Sequence, residues 1–268
     1  MLKSITNFFH DQKIEYFSVL DYRDCNELNA ELIAREGFTP KSVILFLIPY
    51  YAGRAENLSA YAASLDYHIV IRTLTDALID RLKSDFPDGH FCGYGDHSPI
   101  DERHAAAIAG LGIKGDSTLL INEKYGTYVF IADIVTDVPP EALGAIKPQP
   151  PATCSHCGAC RRACPTGILR GECDKCLSAI TQRKGELDKN ELELMRKFDT
   201  VWGCDVCQTV CPHNRHPEIT PIEFFHKDRI EYLTSDILTA LTKDELKSRA
   251  FGWRGRKTIE RNLKALDY

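Results

Sequence analysis

The sequence of 268 residues is 44% hydrophobic and 26% charged, and its net charge is −5. These values describe an ordinary soluble chain that is long enough for two domains. No apolar run approaches the length of a membrane span, and the first seven residues do not begin an apolar signal segment, which argues against a membrane or exported protein. We therefore expect a cytoplasmic protein with reduced thiols and no membrane partner.

Apolar runs alternate with amphipathic stretches in the first half of the chain. Strands are predicted over residues 43–50 and 127–138, because each is a short and nearly continuous apolar run. Apolar residues at helical spacing predict a helix over 67–82, and an alanine-rich stretch predicts another over 103–111. This alternation indicates an α/β fold of the sandwich type.

A proline-dotted stretch at residues 139–151 predicts a stiff linker. We therefore expect a division of the chain near residue 145. The expected segments are an α/β cofactor or substrate domain, a double-cluster ferredoxin-like domain and a helical C-terminal segment, over residues 1–145, 146–216 and 217–268.

A glycine motif in the first domain, Gly110-Leu-Gly112-Ile-Lys-Gly115, matches the G-x-G-x-x-G pattern of dinucleotide-binding loops. That pattern requires a strand before the glycines and a helix after them. Here a predicted helix precedes the glycines and a predicted strand, residues 117–122, follows. We expect this backbone to approach a large planar cofactor rather than a nucleotide.

Nine of the eleven cysteines lie between Cys154 and Cys211. They include the runs Cys154-x2-Cys157-x2-Cys160-x3-Cys164-Pro and Cys204-x2-Cys207-x3-Cys211-Pro. This spacing is typical of two 4Fe-4S clusters in which the cysteine before each proline binds the other cluster.

The same rule divides the ligands between the two clusters. The first cluster is expected to be bound by Cys154, Cys157, Cys160 and Cys211. Three ligands of the second are expected to be Cys164, Cys204 and Cys207. The eighth ligand is either Cys173 or Cys176.

Disulfides and structural zinc are the alternatives to clusters. Disulfides suit an exported chain, whereas the first residues contain no long apolar region and we expect a reducing environment. Zinc sites use two ligand pairs separated by a longer loop, and three thiolates at successive x2 steps exceed a four-cysteine site. Nearby histidines are interpreted as hydrogen-bond donors or surface residues, because eight thiolates are already available; they are His156, His213 and His216.

Several segments together resemble the epoxyqueuosine reductases. Asp96-His-Ser-Pro-Ile-Asp-Glu-Arg103 is similar to the D-x-x-P-x-x-E-R segment of that family, and Ala109-Gly-Leu-Gly112 is similar to its A-G-L-G segment. Tyr61 with Asp66-Tyr67-His68 resembles the Y-A-x-x-x-D-Y-H motif. The run from Gly203 to Asn214 is similar to G-C-D-x-C-Q-x-x-C-P-x-N, and the segment that begins at Cys176 resembles C-I-S-Y-L-T.

The resemblance implies a function and a set of site residues. Family members reduce epoxyqueuosine in tRNA to queuosine with cobalamin and two 4Fe-4S clusters, which are reduced by a low-potential electron donor that the sequence does not identify. Asp96 falls at the position of the proposed general acid, and Cys176 at that of the eighth cluster ligand. Candidate cobalamin contacts are Tyr67, His68, Arg103, Gly110 and Gly112.

Residues 113 and 116 depart from the family pattern, because Ile113 and Asp116 stand where an aromatic residue and a lysine are usual. The chain also ends at Tyr268, whereas many full-length members continue into a helical-repeat domain that grips tRNA. It is therefore expected to be a short form. The sequence leaves a smaller substrate than tRNA open.

Residues 247–264 contain seven basic residues and the single acid Glu260, which gives this segment a net charge of +6. Such a segment either holds phosphates or forms a solvated helix face. Two other functions stay open at this point. One is a two-cluster electron-transfer protein without cobalamin or a tRNA substrate, and the other is a protein that reduces the corrinoid of another enzyme.

Overall fold

The computed structural model describes residues 3–267. Contacts divide the chain into two compact units, Met1–Pro49 with His68–His156 and Tyr50–Tyr67 with Cys157–Tyr268. These units do not coincide with the three segments expected from the sequence. Residues 217–268 belong to the same unit as most of the cysteine region, and residues 50–67 also belong to that unit. The three-segment division stays a prediction.

The first unit contains an antiparallel sheet with the strand order β1-β2-β6-β3. Its strands are β1 (Phe17–Asp21), β2 (Ser42–Pro49), β3 (Phe91–Gly95) and β6 (Val129–Thr136). β2 and β6 pair over their full length, and all eight residues of β2 are buried, as the apolar run predicts. The predicted strands at 43–50 and 127–138 are therefore confirmed to within two residues. A separate two-stranded ribbon consists of β4 (Ile113–Lys114) and β5 (Leu120–Ile121).

Helices cover the sheet of the first unit; they are α1 (Lys3–Asp11), α2 (Ala30–Glu36), α3 (Tyr67–Asp85), α4 (Glu102–Ile108) and α5 (Pro140–Leu143). The alanines of α4 are buried against β2 residues such as Leu45 and Leu47, because small side chains allow a close approach of helix and sheet. α4 ends earlier than the predicted limit of residue 111, because Gly110 adopts a φ of 75°.

The second unit is built from short helices and loops. Its helices are α6 (Ala159–Ala163), α7 (Leu177–Gln182), α8 (Lys189–Lys197), α9 (Val206–Thr209), α10 (Ser235–Ala240), α11 (Lys243–Lys247) and α12 (Arg256–Ala265). Trp202 and Phe251 are fully buried in its larger core, which also contains Leu58, Leu233 and Ile259. The helical C-terminal segment expected from the sequence is confirmed by α10, α11 and α12.

Among residues 3–267, no helix combines the length and the apolar character that crossing a membrane would require.

Candidate functional site

All eleven cysteines are free thiols, so the structure contains no disulfide among its described residues. Burial and neighbouring charges show which thiols lie close together. Burial raises the pKa of Cys204 to about 12, and the negative charges of Cys176 and Cys164 add to that rise. Burial likewise raises the pKa of Cys207 to about 12, with contributions from Cys204, Cys176 and Cys160. Cys176 and Cys164 thus lie near Cys204, and Cys204 and Cys176 lie near Cys207, as does Cys160, which is expected to bind the first cluster.

Cys173 is not among the main causes of either shift. Its sulfur instead accepts a hydrogen bond from the backbone N–H of Lys175 at 3.4 Å and lies 3.9 Å from a carboxylate oxygen of Asp174. This arrangement favours Cys176 as the eighth ligand, which stays a prediction.

The pKa of Cys164 is lowered in spite of the burial of its thiol. Burial would raise the pKa of this thiol, but backbone N–H groups of Leu169, Thr166 and Gly167 and the Thr166 hydroxyl lower it below its ordinary value. Hydrogen bonds to sulfur stabilise negative charge, which is what a cluster ligand carries. The local donor set therefore fits an iron-sulfur cluster.

Asp205 anchors the loop between Cys204 and Cys207. Its partly buried carboxylate accepts hydrogen bonds from the hydroxyl of Ser59, from the backbone N–H of Ala60 at 2.7 Å and from the Gln208 amide at 2.9 Å. Burial raises the pKa of Asp205 and these donors oppose the rise. Asp205 is part of the motif from Gly203 to Asn214, but the sequence alone does not predict its role. Its partners Ser59 and Ala60 are too distant in sequence for a local pattern to reveal the contact.

Residues around Tyr61 support the same loop within the second unit. The indole N–H of Trp202 donates to the Tyr61 hydroxyl at 3.1 Å, and the Gln182 amide approaches that hydroxyl at 3.4 Å. Gly203 adopts a φ of 80°, and a Cβ at this position would lie 2.4 Å from the Cβ of Ser59. Glycine is therefore required at residue 203 both for its backbone conformation and for the close approach of Ser59.

Cys154 lies in a polar cluster of the first unit. The backbone N–H of Asp116 donates to the Cys154 sulfur at 3.4 Å, and Asp116 contacts His156 Nδ1 at 2.8 Å. His156 Nε2 lies 3.2 Å from the hydroxyl of Thr153. His156 is thus engaged in hydrogen bonds, as the sequence interpretation expected. Asp116, one of the two residues expected to depart from the family pattern, is thus used in this contact.

Asp96 lies in the loop that joins β3 to α4. Its φ is 65°, a left-handed conformation that aspartate tolerates better than most residues, and its side chain is half exposed. Oδ2 of Asp96 lies 3.7 Å from Nε2 of His68. The carboxylate that caps α4 is Asp101, which accepts from the backbone N–H of His104 at 3.0 Å. Asp96 therefore does not cap α4.

Two further carboxyl groups lie near this loop. Burial raises the pKa of Glu102 to about 7, and the charge of Asp96 adds to the rise. Asp133, fully buried in β6, has a pKa raised to about 7 by burial and then by the charge of Glu102, while Ser98 offsets part of the shift. Neither carboxyl oxygen of Asp133 has a partner with ordinary hydrogen-bond geometry among the described residues. Sequence reasoning did not assign a role to Asp133.

The other predicted cofactor contacts occupy different environments. Arg103 is exposed and donates to the backbone carbonyl of Thr118 at 3.3 Å, and it forms no ion pair with Asp101 or Glu102 among the described residues. Gly110 faces open space, whereas a Cβ on Gly112 would lie 2.7 Å from the Ile121 carbonyl oxygen. The close approach of the Ile121 backbone therefore explains why residue 112 is glycine, without a bound cofactor. In the second unit, Tyr67 packs edge-on against Tyr61.

Some basic side chains of residues 247–264 donate hydrogen bonds to backbone carbonyls within the second unit. Arg249 is buried and donates to the carbonyl of Asp228. Arg256 donates to the carbonyls of Leu238 and Leu241, and Arg261 to carbonyls of residues 181, 183 and 185. These three arginines stabilise the fold. The remaining cations of the segment are Lys247, Arg254, Lys257 and Lys264.

Comparison with known proteins gives three kinds of match. Residues 153–214 match the family model described as a 4Fe-4S double cluster binding domain. The epoxyqueuosine reductase of Listeria monocytogenes is 33% identical over 259 aligned positions, which cover 87% of this chain and 64% of the relative. That of Leadbetterella byssophila is 33% identical over 219 positions, which cover 76% of this chain and 70% of the relative.

The structure of an epoxyqueuosine reductase with an epoxyqueuosine-modified tRNA-Tyr stem loop has a TM-score of 0.74 at 24% identity. The match covers 98% of this chain and 80% of that one, and it shows a shared fold. This chain spans between about half and two thirds of the length of the first curated relatives that it matches.

Proposed function

The chain belongs to the epoxyqueuosine reductases, and we propose that it reduces epoxyqueuosine in tRNA to queuosine with two 4Fe-4S clusters and cobalamin. The observation that carries this proposal is the position of Asp96, which is half exposed in a left-handed loop and lies 3.7 Å from His68. A half-exposed carboxyl group on a turn can be reached from solvent, and the carboxylate that caps α4 belongs to Asp101 and not to Asp96.

Reduction of an epoxide to an alkene releases the oxygen as water and consumes two electrons and two protons. Asp96 is the proposed proton donor to the leaving oxygen, which avoids expulsion of a bare alkoxide. His68 contacts the Asp96 carboxylate and is placed to hold its orientation. Glu102 responds to the charge of Asp96, so the two carboxyl groups are electrostatically coupled.

Cobalamin, when bound, would supply strongly reducing electrons to the epoxide. Candidate contacts in the first unit remain open to solvent, as a surface for a large polar cofactor requires; they are His68, Arg103 and Gly110. Tyr67 and Gly112 complete the proposed set. Gly112 is the weaker member, because the Ile121 carbonyl already accounts for its missing side chain.

The proposed ligands of the two clusters follow the cysteine spacing. Cys154, Cys157, Cys160 and Cys211 would hold one cluster, and Cys164, Cys176, Cys204 and Cys207 would hold the other. The contributions of Cys176 and Cys164 to the pKa of Cys204, and of Cys204 and Cys176 to that of Cys207, support the second set. Reduced thiols and a tRNA substrate are consistent with a cytoplasmic location.

Replacement of Asp96 by asparagine tests the assignment of the acid. Asparagine tolerates a positive φ and preserves the shape of the side chain, so Asp96→Asn removes the acidic proton without straining the loop. We expect the variant to retain both clusters and any bound cobalamin and to lose at least about 100-fold in epoxide reduction, the usual contribution of a general acid. The measurement is anaerobic single-turnover conversion of epoxyqueuosine-containing tRNA, with iron and corrinoid contents determined in parallel.

His97→Ala is the matched control, because His97 is the exposed next residue of the same loop and has no proposed role. It should react at the wild-type rate. Wild-type turnover by Asp96→Asn would show that Asp96 is not the acid.

A further inference from the structure

A surface depression of the second unit lies next to a predicted cluster ligand. Its volume is about 600 Å³, and it is lined by Lys175, Cys176, Ser178, Ala179, Ile180, Gln182, Arg183, Trp253 and Arg254. We call it the Trp253 depression. Because Cys176 is part of the lining, a molecule seated there comes within reach of that thiolate.

Trp253 is the most prominent apolar group of the depression. Its side chain is 56% exposed, and the guanidinium carbon of Arg254 lies 3.6 Å from its ring centroid. The stacked arginine holds the indole in one orientation, as cation–π pairs do. Exposed tryptophan and arginine side chains are the residue types that most often anchor a protein partner.

The charge of the depression is one-sided. Lys175, Arg183 and Arg254 line it, and none of the nine described lining residues is acidic. Arg183 is paired with Glu191, whereas the Arg254 guanidinium has no hydrogen bond or ion pair among residues 3–267. The chain as a whole carries a net charge of −5, so this cationic surface contrasts with the rest of the molecule.

We propose that the Trp253 depression docks an acidic, low-potential electron-carrier protein, which reduces the cluster bound by Cys176. In each transfer the reduced centre of the carrier loses one electron and the cluster gains one, so two transfers supply the electrons for one epoxide. Opposite charges would steer the two proteins together, and a small interface is usual for electron-transfer partners that must separate quickly. The inference rests on the proposed assignment of Cys176 as a cluster ligand.

RNA is the other polyanion that could meet this surface, with a base stacked on Trp253. The carrier is favoured because Cys176 is in the lining. An electron carrier must approach a cluster ligand closely, whereas tRNA binding provides no reason for a cluster ligand to line the contact surface.

The test uses the cluster-loaded protein and an acidic flavodoxin in its two-electron-reduced form. Stopped-flow absorbance at low salt follows the one-electron oxidation of the flavin as the clusters are reduced. Arg254→Glu and, separately, Lys175→Glu should lower the second-order rate constant about tenfold and flatten its salt dependence, because one steering charge is reversed. Dithionite, which needs no docking surface, should reduce both variants at the wild-type rate.

Lys243→Glu is the matched control. Lys243 is exposed, lies outside the depression and begins α11, where an acidic residue is compatible with the helix dipole. This variant should react with flavodoxin at nearly the wild-type rate. Measurement of the iron content shows whether each protein carries both clusters. Arg254 and Lys175 lie on different segments, so if one of the two variants misfolds, the other still tests the proposal.

A wild-type flavodoxin rate in both Arg254→Glu and Lys175→Glu would overturn the proposal. The same rate combined with weakened binding of a tRNA anticodon stem loop would overturn it in favour of an RNA contact. The readout is cluster reduction and not turnover of epoxyqueuosine, so this result is independent of whether the proposed reductase activity is correct.

Discussion

At the scale of single residues, Asp133 is the most unusual feature of the first unit. It lies in the central part of β6, opposite Leu45 of β2 and Tyr94 of β3, and is fully buried. The hydroxyl of Tyr94 is also buried without a partner among the described residues. A charged carboxylate is costly in such a place, so the neutral acid is favoured.

This burial makes the contribution of Asp133 to stability depend on pH. Its pKa rises from an ordinary 3.8 to about 7 on folding, so the folded protein retains a proton that the unfolded chain releases. The stabilising contribution is complete below about pH 4 and is lost as the pH rises to about 7. Four polar or titratable groups interact with the Asp133 carboxyl group: Glu102, Ser98, Tyr94 and Cys25. Glu102 interacts in turn with Asp96, Asp101 and Arg103.

Asp133→Asn should remove this pH dependence, because asparagine resembles the neutral acid. Relative to wild type, the free energy of unfolding of the variant should increase by about 3 kcal/mol between pH 5 and pH 8, since the folded protein retains the proton over about two pH units and each unit corresponds to about 1.4 kcal/mol. Anaerobic urea denaturation followed by circular dichroism measures the difference. Parallel pH curves for the two proteins would show that Asp133 is ionised in the folded state.

At the scale of elements, the ligand loops show what a sequence can reveal. Cysteine spacing is local, so the two runs predict a double-cluster region, which agrees with the family match to residues 153–214. The support of these loops is not local. Asp205 joins the Cys204–Cys207 loop to Ser59 and Ala60 across some 145 residues, and no spacing rule reaches that far.

The choice between two neighbouring cysteines can be tested at this scale. Cys176→Ser should lower the iron content from about eight to about four per chain or leave one spectroscopically altered cluster, because the second cluster loses a thiolate. Cys173→Ser is the matched control and should retain about eight irons, because the Cys173 sulfur accepts a hydrogen bond from the backbone N–H of Lys175, whereas Cys176 lies near Cys204 and Cys207. Iron analysis and electron paramagnetic resonance after reduction distinguish the two. The opposite pattern would make Cys173 the ligand.

At the scale of the whole molecule, strongly apolar and strongly periodic stretches were predictable and weak ones were not. β2, β6 and α3 follow directly from their hydrophobic patterns. β1 and β3 carry only five residues each, and β3 contains two glycines, so neither forms a distinctive pattern. Strand order and the grouping of residues 50–67 with the second unit depend on long-range contacts that no local pattern records.

The site was predictable to a similar degree. Resemblance to a family predicts Asp96 as the general acid, which stays a prediction, whereas its positive φ and its contact with His68 became visible only in the fold. The positive charge of residues 247–264 was evident, but three of its arginines bind backbone carbonyls. Charge in a sequence does not show whether a guanidinium faces solvent or caps a helix.

The central claim is that this chain reduces epoxyqueuosine. The most direct measurement is mass spectrometry of nucleosides from epoxyqueuosine-containing tRNA, after anaerobic incubation with the cluster-loaded protein, cobalamin and a low-potential reductant. We predict loss of one oxygen mass from that nucleoside, dependent on added cobalamin and on intact clusters. A protein that carries about eight irons and accepts electrons but leaves the nucleoside unchanged would contradict the reductase and indicate an electron carrier.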